Sequence, residues 1–251
     1  MLIHSDGNSN IVQGSCFDLE DWIKEAKPNV VLMNPPYNGQ RSHLPKAFVD
    51  NWSKDKKEDP SKGFYFVKYI ADTLNSINAQ ATLAVLLPVA CAIGTSGEIA
   101  KIKRQILENN TLDAVFTLPN EIFYPGASAS ACCMVFKVGI KHTDVSNPDT
   151  FFGYFKEDGF KKKKNLGRVE QINPDTGISK WVEIENEWLE LYRNRRSVDG
   201  YSATQKVGGD DEWLCEAYMK TDYSNLSSND FQKTINDYLS YLVKEGVIYE
   251  A

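Results

Sequence analysis

The stretch that decides the fold is Val30-Val31-Leu32-Met33-Asn34-Pro35-Pro36-Tyr37. Its first four residues form an apolar run rich in β-branched side chains, which is typical of a strand buried on both faces. The run stops at two successive prolines, because proline has no backbone N–H with which to continue a strand ladder. The sequence therefore predicts a short buried strand with Asn34 at its carboxyl end.

Amphipathic helices and apolar strands alternate after Tyr37. The spacing of apolar residues predicts a helix over 63–77, and Thr95 with Glu98 three residues later predicts a capping box that opens a second helix. Further strands are predicted at 81–87, 112–118 and 130–138, the last two as a hairpin-like pair. This order indicates a mostly parallel sheet covered on both faces, with ligands at the carboxyl ends of its strands.

The composition changes beyond about Lys141 to polar, charged and aromatic residues with many turn formers. We expect an accessory region of mixed α+β structure over 141–251 that ends in a helix. Apolar residues form one stripe of this helix, which packs either on its own domain or against a partner helix. The stripe consists of Phe231, Ile235, Tyr238, Leu239, Leu242 and Val243.

Composition excludes several classes of protein. The net charge of -6 and the pI of about 5.2 argue against a stand-alone nucleic-acid binder, which normally carries a basic excess. No run approaches the roughly eighteen apolar residues of a membrane span, and the amino terminus has no signal-peptide pattern, so we expect a cytoplasmic protein with no membrane partner. The five cysteines form no Cys-x-x-Cys pair and lie outside zinc-like spacing with the three histidines. We therefore expect reduced thiols and no metal.

Asn34-Pro35-Pro36-Tyr37 resembles the signature of amino-group methyltransferases that act on adenine N6, with a relative in glutamine-modifying enzymes. The amine of adenine is a poor nucleophile because its lone pair is delocalised into the ring. Hydrogen bonds from both N–H groups, to the Asn34 side-chain oxygen and the Pro35 carbonyl, would favour a pyramidal nitrogen. Tyr37 would stack on the extruded base, and Pro36 would help to fix the turn. The alternative interpretation is an ordinary turn after a strand.

The resemblance extends over roughly residues 1 to 170 to the modification subunit of type I restriction-modification systems. It rests on Asp6-Gly7-Asn8-Ser9-Asn10-Ile11, Gly14-Ser15-Cys16-Phe17, Leu86-Leu87-Pro88, Leu118-Pro119 with Phe123, and Asp158-Gly159-Phe160. It implies a Rossmann-like methyltransferase sheet, with 1–140 as a partial catalytic domain. It also implies methyl transfer from S-adenosylmethionine to a flipped adenine in double-stranded DNA. Its implied partners are a specificity subunit and a restriction subunit.

The same resemblance implies that the main cofactor-binding segment, with its first strands and its Gly-x-Gly motif, is missing from this chain. Ser15, Phe17 and Asn34 remain as candidate cofactor contacts, with Ser15 standing where the family usually has an acid. A strand at Ile11 to Gln13 is expected at the far end of the sheet, so the Val30 strand should present an apolar edge. We therefore expect a fragment that is inactive alone and that associates with a separate amino-terminal half, pairs with itself or aggregates.

Three further questions stay open at this point. Phe123 is either a second aromatic wall of the target-base site or a hydrophobic anchor of its loop. The run Lys161 to Lys164 either contacts phosphates or forms a solvated loop. The function rivals are a protein-glutamine or RNA methyltransferase that uses the same tetrapeptide, and a non-catalytic remnant or assembly module.

Overall fold

The computed structural model describes residues 10–50, 52–126, 129–143, 149–224 and 226–247. The helices are α1 (Glu20–Ala26), α2 (Lys46–Val49), α3 (Phe64–Ser76), α4 (Val89–Ile93), α5 (Gly97–Leu107), α6 (Lys180–Arg193) and α7 (Ser228–Lys244). The strands are β1 (Val30–Met33), β2 (Ala81–Pro88), β3 (Asn110–Thr117), β4 (Ala131–Val138), β5 (Thr150–Tyr154), β6 (Phe160–Lys163), β7 (Gly167–Glu170) and β8 (Ser202–Gln205).

Six strands form one sheet in the order β1-β2-β4-β3-β5-β8, and β6 pairs with β7 in a separate hairpin. The β1–β2 and β3–β5 ladders are parallel, whereas β4 and β8 run antiparallel to their neighbours. The expected α/β sheet is present. Strands β1, β2, β3 and β5 run in the same direction, so their carboxyl ends lie at one edge of the sheet. The residues that follow those strands are therefore available to build a site there.

The main core lies between one face of this sheet and helices α3 and α5. Along β2 every second residue is buried, and Leu83, Val85 and Leu87 meet the buried face of α3. The opposite face is covered at its β3–β5 end by α6, where Trp188 and Leu191 pack against Phe151. Both faces thus carry helices, as the alternation of apolar strands with amphipathic helices predicts.

The edge strand β1 has an incompletely covered apolar face. Val30 and Leu32, which point to the same face, are 59% and 81% exposed. β1 pairs only with β2 among the described residues, so its other edge offers unpaired backbone groups. The predicted apolar edge is therefore present in the structure. The prediction that this strand is buried on both faces is wrong, because no described element covers Val30 and Leu32.

Two further local predictions were wrong. Residues 11–13 form no strand, and Ile11 is 76% exposed, because no described strand pairs with this segment. Helix α5 has Ser96 as its N-cap residue and has no side-chain cap. Thr95 therefore does not form the predicted capping box with Glu98.

The chain divides into two compact units, Met1–Met219 and Lys220–Ala251. This differs from the boundary expected near residue 141, because β5 and β8 lie beyond it and extend the same sheet. The second unit contains the predicted helix as α7, which opens with a capping box between Ser227 and Asp230. No helix among the described residues is long and apolar enough to cross a membrane.

Candidate active site

The turn that follows β1 presents two hydrogen-bond acceptors side by side in sequence. The side chain of Asn34 is exposed, and Pro35 is buried directly after it. Within the described residues neither the Asn34 amide nor the Pro35 carbonyl oxygen has a hydrogen-bond partner. Both groups are therefore free to accept hydrogen bonds from a ligand.

The prolines of this turn rest on Gly63, the residue before α3. Gly63 has a φ of +102°, and a Cβ atom there would lie 3.2 Å from Pro35 Cγ and 3.2 Å from Leu87 Cδ2. A side chain at this position would strain the backbone and press on Pro35. The absence of a side chain thus lets the start of α3 support the Asn34–Tyr37 turn.

A buried carboxylate holds Gly63 in place. Asp59 is fully buried and accepts hydrogen bonds from the backbone N–H of Ser61 at 2.8 Å and of Gly63 at 2.9 Å. It also accepts the Ser61 hydroxyl at 2.6 Å. The Asp59 N–H in turn donates to the Gly39 carbonyl at 2.9 Å, which ties the segment just after Tyr37 to the start of α3.

Cys91 in α4 completes this support. Its thiol donates to the carbonyl oxygens of Ser61 at 3.5 Å and of Lys62 at 3.6 Å. Burial raises the pKa of this thiol to about 12, with the charge of Asp59 adding to the rise. Cys91 therefore stays protonated and acts as a donor rather than as a nucleophile.

Tyr37 turns its hydroxyl into the protein. The ring is half-buried, and its hydroxyl oxygen is buried without a hydrogen-bond partner among the described residues. Burial raises the pKa of this hydroxyl to about 12, and the thiols of Cys132 and Cys91 add to the rise. Only part of the ring is left accessible for a base to stack against.

Phe123 lies at the same sheet edge but at some distance from Asn34. Its loop, residues 119–126, follows β3, and β2 and β4 lie between β3 and β1. Three strand spacings separate the two positions by about 14 Å. Phe123 is half-buried, which agrees with a loop anchor as well as with the outer wall of a large pocket.

The predicted cofactor residues lie next to β1. The Ser15 side chain accepts the Phe17 N–H at 3.4 Å, and the Phe17 ring packs on Phe66 at 4.9 Å and on Tyr69 at 4.8 Å. Between this segment and β1 lies a cleft of about 410 Å³. The cleft therefore opens beside the strand that carries Asn34.

The lining of this cleft does not fit the whole of S-adenosylmethionine. That cofactor carries a carboxylate, an ammonium group and two ribose hydroxyls, and such groups need polar partners when they are buried. The cleft is lined by Gly14, Cys16, Leu19, Trp22, Ile23, Pro28, Val30, Val31, Leu32, Met33 and Ile70. This set provides apolar contacts, but it contains no charged side chain.

Sequence reasoning identified the Asn34–Tyr37 turn and missed the groups that support it. Asp59 stands in a polar, charged stretch that reads as a surface loop, and nothing local signals its burial. Gly63 was predicted as the first residue of the helix over 63–77, and the structure places it just before α3 as the N-cap residue. Its contact with Pro35 depends on tertiary structure alone.

The sequence of this chain matches a known protein family. The model of the N-6 DNA methylase family matches residues 1–245. The type II restriction enzyme and methyltransferase RM.BcgI of Heyndrickxia coagulans is 28% identical over 244 residues, which cover 96% of this chain and 34% of the relative. The type I restriction enzyme MpnII methylase subunit of Mycoplasma pneumoniae is 23% identical and covers 82% of this chain and 45% of the relative.

The fold has a counterpart among solved structures. The type I restriction-modification methyltransferase subunit from Streptococcus thermophilus superposes with a TM-score of 0.51 at 22% identity, over 76% of this chain and 38% of that one. The likeness confirms the predicted fold class. The chain spans less than half the length of the curated relatives it matches. The family match over residues 1–245 confirms the expectation from the Asn-Pro-Pro-Tyr motif, and the chain belongs to the N-6 DNA methylase family.

Proposed function

We propose that this chain contributes the target-amine site of a DNA methyltransferase that modifies adenine at N6. The observation that carries the proposal is the pair of unpartnered acceptors at the end of β1, Asn34 Oδ1 and the Pro35 carbonyl. An exocyclic amine has two N–H donors, so it matches two unoccupied acceptors on consecutive residues. The family implies dependence on S-adenosylmethionine, and we propose that cofactor as the methyl donor.

In this proposal each residue of the turn has one role. Asn34 and Pro35 accept hydrogen bonds from the two N–H groups of the amine. These bonds orient the nitrogen lone pair away from the two acceptors. Pro35 and Pro36 limit the backbone to few conformations, so little entropy is lost when the amine binds. Tyr37 contacts the extruded base with the accessible part of its ring. Phe123 is a candidate for the opposite wall.

The cofactor would need partners in addition to the described residues. The cleft beside β1 supplies apolar surface near Ser15 and Phe17, but no charged group. We propose that a separate or covalently linked methyltransferase segment pairs with the open edge of β1 and supplies the polar contacts. The relatives are named as a restriction enzyme and methyltransferase and as a methylase subunit of a restriction enzyme, which supports assembly with other subunits. We propose double-stranded DNA, a specificity subunit and a restriction subunit as the partners.

Substitutions at two neighbouring asparagines test this proposal. Methyl transfer from labelled S-adenosylmethionine to unmethylated genomic DNA is measured for the chain, alone and mixed with the amino-terminal part of the Heyndrickxia relative. Asn34→Ala should lower transfer about 100-fold or more, as expected for a group that stabilises a transition state. Asn38→Ala is the matched control, because Asn38 accepts the Lys62 ammonium at 3.0 Å and has no role in the proposal. Equal activity of both variants would refute the role of Asn34.

A second candidate function is that of a non-catalytic assembly module. The observation that favours it is the exposed apolar edge of β1 together with the uncharged cleft. Such a module would bind no S-adenosylmethionine in isothermal titration even when mixed with the complementary segment. Binding of S-adenosylmethionine that appears only after mixing would support the methyltransferase. A protein-glutamine methyltransferase would be recognised by methylation of a glutamine peptide instead of DNA.

A further inference from the structure

A polar cavity of about 460 Å³ lies at the sheet edge on which Asn34 also lies. It begins at Pro119, just after β3, and at Lys156, just after β5. The β6–β7 hairpin and the first residue of α6 form its other walls. Residues from four separate parts of the fold therefore converge on one space.

The walls of this cavity are fixed by specific contacts. Gly159 has a φ of +76°, and a Cβ atom there would lie 2.5 Å from the Trp181 nitrogen, so only glycine lets the hairpin approach α6 this closely. Asp158 accepts the Phe160 N–H at 3.1 Å. The Gly159 carbonyl accepts the Gln171 N–H at 2.8 Å, which closes the base of the hairpin.

Positive charge exceeds negative charge around this space. The Asp158 carboxylate is paired with Arg168 at 2.6 Å, and Glu121 is paired with Lys162 at 3.5 Å. Glu157 is the remaining acid of the lining. Three lysines of the lining have no ion pair in the part of the chain that the structure describes: Lys156, Lys161 and Lys180.

Arg168 adds a buried donor that lacks an acceptor. Its side chain is only 15% exposed, and its Nε atom is buried without a hydrogen-bond partner among the described residues. A buried donor without an acceptor destabilises the fold. The Arg168 guanidinium also adds positive charge to the cavity wall, and an anion in the cavity would neutralise the unpaired lysines.

We propose that this cavity binds a phosphodiester group of the DNA strand that carries the target adenine. The proposal rests on the proposed function, because it takes DNA as the substrate. Three to four strand spacings place the cavity about 14 to 19 Å from Asn34 along the sheet edge. At 3.4 Å per base step this is about four to six base pairs, so the cavity would hold the backbone outside the flipped nucleotide. Of the basic run at 161–164, the proposal assigns this contact to Lys161.

The test compares Lys161 and Lys180, which line the cavity, with Lys163, which lies on the same hairpin as Lys161 but outside the cavity. Binding of a fluorescent 30-base-pair duplex to the full chain is measured by anisotropy over a series of salt concentrations. Lys161→Gln and Lys180→Gln should each weaken binding roughly tenfold at low salt and reduce the slope of log K against log salt by about one. Lys163→Gln should change neither quantity, because Lys163 is exposed on β6 but does not line the cavity.

Two results would overturn the proposal. One is that the wild-type chain binds no duplex, and the other is that Lys163→Gln weakens binding as much as Lys161→Gln. Asn34→Ala separates the cavity from the proposed function, because Asn34 carries no charge and its loss should leave the salt slope unchanged while it abolishes methyl transfer. If transfer depends on Asn34 and the lysine variants bind as wild type does, the cavity proposal fails and the proposed function stands. If Lys161→Gln and Lys180→Gln lose affinity, Lys163→Gln keeps it, and the wild type transfers no methyl group, the cavity proposal stands and the proposed function fails.

Discussion

Replacing Asp59 removes the carboxylate that links Ser61 and Gly63 beneath the candidate site. In Asp59→Ala three donors lose their acceptor: the backbone N–H groups of Ser61 and Gly63 and the Ser61 hydroxyl. Each buried unpaired donor costs about 1–3 kcal/mol. Because the loop relaxes in part, we expect the free energy of unfolding to fall by about 3–5 kcal/mol.

Asp59→Asn tests the same reasoning with a smaller change. Its single amide oxygen can replace Oδ1, which accepts both groups of Ser61, while the amide nitrogen faces the Gly63 N–H. One unpaired donor remains, so we expect a loss of about 1–3 kcal/mol. Glu58→Gln is the control, because Glu58 is an exposed neighbour and should change stability by less than about 0.5 kcal/mol.

The assay is urea unfolding followed by circular dichroism at several wavelengths. The predicted order of stability is wild type and Glu58→Gln, then Asp59→Asn, then Asp59→Ala. If Asp59→Ala lies within about 0.5 kcal/mol of the wild type, the carboxylate does not hold the loop and the account of how the turn is supported is wrong.

Three further predictions concern the same unit of the chain. Tyr37→Phe removes the unpaired buried hydroxyl and should raise the free energy of unfolding by about 1 kcal/mol, whereas Tyr37→Ala should lower it by about 2–3 kcal/mol; a destabilised Tyr37→Phe in thermal unfolding would show that the hydroxyl has a partner. Gly63→Ala should cost more stability than Gly97→Ala, because both glycines have positive φ but only Gly63 has neighbours within 4 Å of a Cβ position; equal losses would contradict the contact with Pro35. Burial lowers the pKa of Lys103 to about 8, below about 10.4 in an unfolded chain, so between these values the unfolded state holds the extra proton. The free energy of unfolding of the wild type, relative to that of Lys103→Met, should therefore rise by up to about 1.4 kcal/mol per pH unit from pH 8 to 10.4. Below pH 8 the difference between the two free energies should be constant. Urea unfolding at a series of pH values measures both.

The strands and helices nearest the Asn34–Tyr37 turn could be predicted because their signal is local. Apolar runs identify β1 and β2, and helical spacing identifies α3. Pairing of β3 with β4 followed from their closeness in sequence. The position of β5 and β8 in the sheet could not be predicted, since strand order over long separations depends on tertiary contacts that no local pattern records.

The candidate site was predicted in its acceptors and not in its supports. Asn34 and Pro35 follow an apolar strand, so their place at the sheet edge follows from sequence. The inward hydroxyl of Tyr37 and the burial of Asp59 result from packing between separate segments. The phosphate-contact interpretation of residues 161–164 treated four lysines alike, and only the structure separates Lys161, which lines the cavity, from its neighbours.

The identity of the methylated nucleoside tests the central claim most directly. The chain is incubated with S-adenosylmethionine and unmethylated genomic DNA, mixed with the amino-terminal part of the Heyndrickxia relative, and the DNA is digested and analysed by mass spectrometry. The account predicts N6-methyldeoxyadenosine with the wild-type chain and none above background with Asn34→Ala. Methylation of another nucleoside, methylated DNA that does not depend on Asn34, or no methylated nucleoside in the mixture would contradict it.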